Sequence, residues 1–416
     1  MPTTQSLPIE PNHRGRLRFT MNDKIDVCRG LFAFLVVAAH AVDIAWAIHP
    51  EGPSQYPWWL HRFLLYVVAA GVYWVIGFFV ISGYCIQLSV SRAIERGSFP
   101  LSNYLTGRLS RILPLYYLAL LWAMTVEWLI AGARPHCWSN GINGNALIAQ
   151  VFVLQNLTQT YGSYAPSWSI TNEMFYYLFY GFLVCIAVKR GIRATTLGMI
   201  ACVAIALPMN LLYFTWNRSP FVCAVGLLFG LGTFWFSGAL VAEYQESLRR
   251  SRAVRIGSRF WPLILATAIV MWFSQHVHLQ LVYVMLAMAF TMMLVQIVTA
   301  DEKSAQADER SRTSPLPQLL GLASYPTYLF HGPLLMLVAS LIMRSKLIND
   351  WRLTWFILVF VGISSGTALG YLIERPIMAW RASWLKSLKL ARSATDRKST
   401  RLNSSHQGTS RMPSSA

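Results

Sequence analysis

The chain has 416 residues, 55% of them apolar and 12% charged, with a mean hydropathy of +0.43 and a formal net charge of +18. A soluble domain carries about 25% charged residues, so this chain reads as a polytopic helical membrane protein and not as two or three soluble domains. The same composition excludes a disordered chain, a collagen, a disulfide scaffold and a coiled coil.

In chain order, residues 1–23 form a polar leader with no visible cleavable signal peptide. Apolar runs of about the 20 residues that a crossing needs follow near 28–48, 64–88, 112–133, 167–188, 195–215, 219–241, 260–275, 279–299, 320–343 and 353–373. A shorter run at 146–160 carries Gln150, Gln155, Asn156 and Gln159. Charge decides whether it crosses. If it does not, Arg14, Arg16, Arg18 and Lys24 share a side with Arg92, Arg96, Arg108 and Arg111. Lys189, Arg190, Arg193, the arginines of 249–259, Arg375 and Arg381 then join them. If it crosses, 189–193 changes sides. The positive-inside bias therefore predicts an all-α bundle of ten transmembrane helices with both termini cytoplasmic. The excess charge is a topology signal, and no nucleic-acid partner is expected.

Residues 24–392 are expected to make up the membrane domain and 393–416 a disordered tail. The stretch 396–416 resembles a translated sequencing adaptor, so no fold or function is read from it. The six cysteines show no CxxC or Cys/His spacing, and neither a disulfide framework nor a metal site is expected.

Ionisable groups inside a bilayer are costly, and each is a functional candidate. In the first span Arg29 and His40 lie 11 residues apart, three turns plus about 20°, so they share one helix face about 16 Å apart. Asp26 and Asp43, three residues outside each, extend the stripe. It faces either other helices as plain interhelical hydrogen bonds or a reaction path. Glu173, in PSWSITNEMFYY, stands beside apolar and aromatic residues and should be paired; at a depth similar to His40 the two would make an acid/base site. A structural Glu bonded to backbone is the other reading. Arg108 and Arg111, in RLSR, project from one side of a helix, suited to gripping phosphate or to anchoring at a membrane face. Ser82 and Gly83 in FFVISGY suggest close helix packing. His331 lies between Pro326 and Pro333, which should distort their helix. Glu374 closes the last span and is expected to pair with Arg375 or another arginine at that mouth.

Taken in order, IDVCRG with its following His, FFVISGY, RLSRILPLYY, WSITNEMFYY, SYPTYLFH and IERPI resemble the acyltransferase 3 family of integral-membrane O-acyltransferases, over about residues 24–378. Val27 stands where the family commonly has Gly. The resemblance implies a ten-span core in the bacterial inner membrane. It also implies transfer of an acyl group, usually acetyl, from acyl-CoA to hydroxyls of exopolysaccharide, lipopolysaccharide or a lipid-linked glycan. Acyl-CoA would be a donor substrate, with no bound cofactor, and carbohydrate and membrane lipid the other partners. By the same resemblance Arg29 and His40 are required for activity, Arg108 and Arg111 lie on the acyl-CoA side, and Trp168, Ser169 and Glu173 form a further element. His40 would serve as base or as transient acyl carrier. A proton-coupled transporter or flippase of a glycan precursor is the competing expectation, although the halves show no repeat.

Overall fold

The computed structural model describes residues 20–52, 57–63, 71–137, 141–215, 218–274, 279–300 and 315–388. The tail expected from 393 onward and most of the leader lie outside these residues, as does the 64–70 portion of the second apolar run. Among the described residues there is no strand, only an isolated bridge between Gly141 and Tyr161.

Ten helices among the described residues are long and apolar enough to cross a membrane. In chain order the helices are α1 (Met21–Ile48), the short α2 (Trp58–Phe63), α3 (Val72–Glu95), α4 (Leu101–Ile130), α5 (Gly144–Val151), α6 (Trp168–Arg190), α7 (Ala194–Thr215) and α8 (Pro220–Glu243). Then come α9 (Gln245–Arg250), α10 (Arg252–Gly257), α11 (Trp261–Ser274), α12 (Leu279–Ala300), α13 (Pro315–Ser345) and α14 (Trp351–Leu369). The last crossing runs on from α14 through a π turn at Gly370–Glu374 to Leu388. The 146–160 run does not cross. Its helix, α5, has eight residues, about 12 Å of length, and Gln150 within it and Gln155 after it are buried against Tyr116 and Ser167.

Local chemistry sets the helix ends. Thr20 and Asp23 form a capping box that starts α1: the Thr20 amide donates to the Asp23 carboxylate at 2.9 Å, and the Asp23 amide to the Thr20 hydroxyl at 3.1 Å. Gly191, with φ of 65°, ends α6 in the left-handed conformation that glycine takes at no steric cost. The expected distortion of α13 does not interrupt it; the helix continues through Pro326 and Pro333. The irregularity falls instead on the last crossing, at the π turn.

The central helix is α13, packed against α1, α4 and α14. It runs parallel to α1, with Asp26 against Gly321 and His40 against His331. It also runs parallel to α4, because Tyr325 donates to the Ile112 carbonyl near one end and Arg344 to the Leu129 carbonyl near the other. The helices α3, α6 and α14 run the other way. One end of the bundle therefore gathers the starts of α1, α4 and α13 with the ends of α3, α6 and the last crossing. Arg29, Arg92, Arg96, Arg108, Arg111, Lys189, Arg190 and Arg381 lie towards it, and it is called the basic end below.

On the far flank α3 and α8 cross through a reciprocal pair of glycines. A methyl group on Gly83 would collide with the Trp235 carbonyl, and one on Gly238 with the Val80 carbonyl. Gly83 is thus a packing residue, as its motif suggested. We expect Gly83→Ala and Gly238→Ala each to lower the thermal midpoint of the purified protein by overpacking of about 1–3 kcal/mol. Gly230→Ala, which points into open space, should not. Equal midpoints for all three would contradict this contact.

Candidate functional site

The expected stripe of α1 is present as two local pairs. Arg29 Nη1 lies 3.7 Å from Asp26 Oδ1, and His40 Nδ1 lies 3.8 Å from Asp43 Oδ2. The two pairs serve different surroundings. Arg29 lines a cavity of about 210 Å³ enclosed by α1, α3, α4, α6 and α13. His40 does not line it; its imidazole lies against Gly71 and stacks on the buried His331 ring, 5.3 Å between centroids at 20°.

Glu173 lies in that cavity with Ser82, Arg108, Arg111, Ser169 and Tyr177. It accepts a hydrogen bond from Ser82 Oγ at 3.1 Å and another from the Tyr177 hydroxyl, one helical turn further on. Trp235 Nε1 donates to Ser82 Oγ at 3.2 Å and holds it there. Glu173 and His40 do not share a depth. His40 sits at the level of Gly71 and Glu173 at the level of Ser82, eleven residues further along α3, which is about 16 Å of helix rise. The physical reason is register: α3 antiparallel to α1 brings its start to His40, whereas α6 crosses α3 nearer the middle. The expected direct acid/base contact between the two is therefore not formed.

Tyr328 joins the two regions. Its ring lines the cavity and lies 5.9 Å from the His331 ring, and its hydroxyl donates to the Pro166 carbonyl at 2.8 Å and bonds Ser169 Oγ at 2.6 Å. Ser169 thus reaches the cavity wall, while its neighbour Trp168 opens α6 and packs half-buried against the apolar core. His331 is 1% exposed. Its Nδ1 lies 3.1 Å from the Thr327 carbonyl and 2.8 Å from the Tyr328 carbonyl. Carbonyls only accept, so Nδ1 carries the proton and Nε2 presents a lone pair. That Nε2 is buried without a hydrogen-bond partner among the described residues.

The two arginines of RLSR divide instead of forming one fork. Arg108 Nη2 donates to Ser89 Oγ at 2.6 Å, and its guanidinium lies 5.7 Å over the Tyr104 ring. Arg111 is held by Glu374, with Nη2 3.0 Å from Oε1. Glu374 therefore takes a mouth arginine as expected, while Arg375 turns to the Tyr371 ring at 5.4 Å. At the opposite end a second ion pair, half-buried Arg134 to buried Glu127 at 3.1 Å, ties α4 to the Ser163 amide ahead of α6.

Sequence reasoning missed Ser82 and Tyr177 as partners of Glu173, Tyr328 as the link, and the pair of Glu127 with Arg134. Tyr177 had a readable signal, its i,i+4 spacing from Glu173. The others pair across 7 to 162 residues and had none. Among the described residues no cluster of His, Cys, Asp or Glu could hold a metal ion.

These features define a multi-pass α-helical membrane protein with a polar, arginine-lined cavity opening among apolar helices. The family model described as an acyltransferase domain matches residues 22–375, and the chain belongs to this acyltransferase 3 family. Comparison with curated proteins and with solved structures returned no match. The protein is thus a membrane acyltransferase in general terms.

Proposed function

We propose that the protein is an O-acyltransferase of the bacterial inner membrane. It moves an acyl group, most simply acetyl, from acyl-CoA to a hydroxyl of exopolysaccharide, lipopolysaccharide or a lipid-linked glycan. The observation that carries this reading is a polar cavity towards the basic end with a histidine pair just beyond its wall. The cavity holds Arg29, Arg108, Ser169 and Glu173, and Tyr328 in its wall adjoins the stacked His40 and His331. The charge bias supports a cytoplasmic basic end, where the donor is made. Family membership favours transfer over the transport reading.

At about 210 Å³ the cavity is below the roughly 300–1,000 Å³ of sites for drug-sized ligands. It therefore suits a narrow thioester arm and not a whole nucleotide donor. The acyl end would advance past Tyr328 towards His40. There His40 takes the proton of the acceptor hydroxyl as its oxygen attacks the thioester carbonyl. The C–S bond then breaks, the ester is released, and the leaving thiolate takes back that proton. Arg29 faces negative charge on the donor side, and Asp43 and His331 hold the His40 ring from its Nδ1 edge and its face.

Membranes carrying the protein, incubated with radiolabelled acetyl-CoA, should pass label into alkali-labile esters on surface polysaccharide. Membranes lacking the protein should not. Equal label in both rejects the reading.

A further inference from the structure

The cavity stops short of His40, and an aromatic ring stands between them. We propose that Phe78 sorts acyl groups by width: it narrows the passage from the cavity to the histidine pair, so that straight acyl chains pass and branched ones do not. The inference rests on the transferase reading and names the class of acyl group moved.

Gly71, with helical backbone at the start of α3, precedes Phe78 by seven residues, and Ser82 follows it by four. These spacings are about 20° short of two turns and about 40° past one, so the three share one face of α3, with about 10 Å and about 6 Å of rise between them. Gly71 meets the His40 imidazole and Ser82 bonds Glu173, which puts Phe78 on the line from Glu173 to His40. The Phe78 and Tyr328 rings both line the cavity and meet edge to face, 5.9 Å between centroids at 64°. Tyr328 in turn lies 5.9 Å from the His331 ring. On another side Phe78 meets Phe32, 5.8 Å away at 73°.

Of these rings Phe78 is the one able to give way. Tyr328 is tied by its hydroxyl to the Pro166 carbonyl and Ser169 Oγ. Phe32 is buried against Gly77, where an added methyl group would collide with its ring, and packs edge to face on Phe290 at 5.2 Å. Phe78 is half-buried and has no polar anchor, so turning it aside opens the passage without breaking a hydrogen bond. A constriction selects by cross-section. A straight chain threads it with its carbons in line, whereas a branch beside the carbonyl adds a methyl group to the width at the rings. Packing at protein density registers a change of that size.

Butyryl-CoA and isobutyryl-CoA carry the same atoms in a straight and a branched acyl group, and so separate width from size and apolarity. Each is given, radiolabelled in the acyl group, to membranes carrying the full chain, and label is counted in alkali-labile esters on surface polysaccharide. The parent should favour butyryl. Phe78→Ala should raise the isobutyryl-to-butyryl ratio of kcat/KM about tenfold, the lower end of what one methylene is worth in an apolar pocket. Both donors are read on the same enzyme, so any loss of folded protein cancels from the ratio. Phe78→Leu, gentler on the packing, should move it in the same direction, and Phe182→Ala, on the exposed face of α6, should not. The proposal is overturned if the parent takes both donors equally, if Phe78→Ala keeps the parent's ratio, or if Phe182→Ala shifts it as far. A parent that transfers from neither donor nor from acetyl-CoA would reject the transferase reading and the acyl sorting with it, so the two failures are told apart by whether label moves at all.

Discussion

Replacing His40 by alanine should lower acyl transfer by about two to four orders of magnitude, the usual weight of a positioned acid or base, in a protein that still inserts and folds. The loss should be chemical and not structural. His40 is only half-buried, and its neighbours along α1, Ala39 and Ala41, remain packed without it. Imidazole added to the alanine variant should restore part of the rate, which a merely structural role would not allow. His331→Gln gives the contrast: it removes a fully buried ring whose Nδ1 bonds two carbonyls of its own helix, so it should lower both thermal stability and rate. Full activity in His40→Ala would move the base elsewhere. Glu173, which already accepts two hydroxyl bonds inside the cavity, would be the next group to replace.

The helices were legible in the sequence because crossing a bilayer imposes a length and a polarity on each one, and both are local properties. The 146–160 run shows how far that reaches. The charge bias argued against a crossing there, and two of the four amides of the run, at Gln150 and Gln155, are buried against Tyr116 and Ser167. The pairs on α1 were legible too, since i,i+3 spacing is set by the helix alone. Register between helices was not. Nothing in either segment states that α6 meets α3 at Ser82 while α1 meets it at Gly71, so the shared depth expected for Glu173 and His40 had no local basis. The π turn at Gly370–Glu374 is of the same kind: the prolines of α13 looked like the disturbance, yet the irregular backbone lies on the last crossing, where Glu374 reaches Arg111.

That contact sets the second large effect. Glu374 is 1% exposed, one of its oxygens takes Arg111 at 3.0 Å, and the other is buried with no hydrogen-bond donor among the described residues. Arg111→Ala should therefore strand a buried carboxylate and cost about 3 kcal/mol, the low end of the range for a buried ion pair, because Arg111 itself is 33% exposed. The measurement is a large fall in the thermal midpoint of the detergent-purified protein. Removing both charges with similar volume, as in Arg111→Met with Glu374→Leu, should return the midpoint close to the parent's, because replacing a buried pair by apolar groups is often neutral. The two substitutions share one contact, so their effects should be strongly non-additive. The double variant also separates support from substrate contact. If Arg111 serves to join α4 to the last crossing, KM for acetyl-CoA in the double variant should stay within about threefold of the parent, while Arg108→Gln raises it about tenfold. A double variant that is stable but has lost donor affinity would return Arg111 to the donor site beside Arg108.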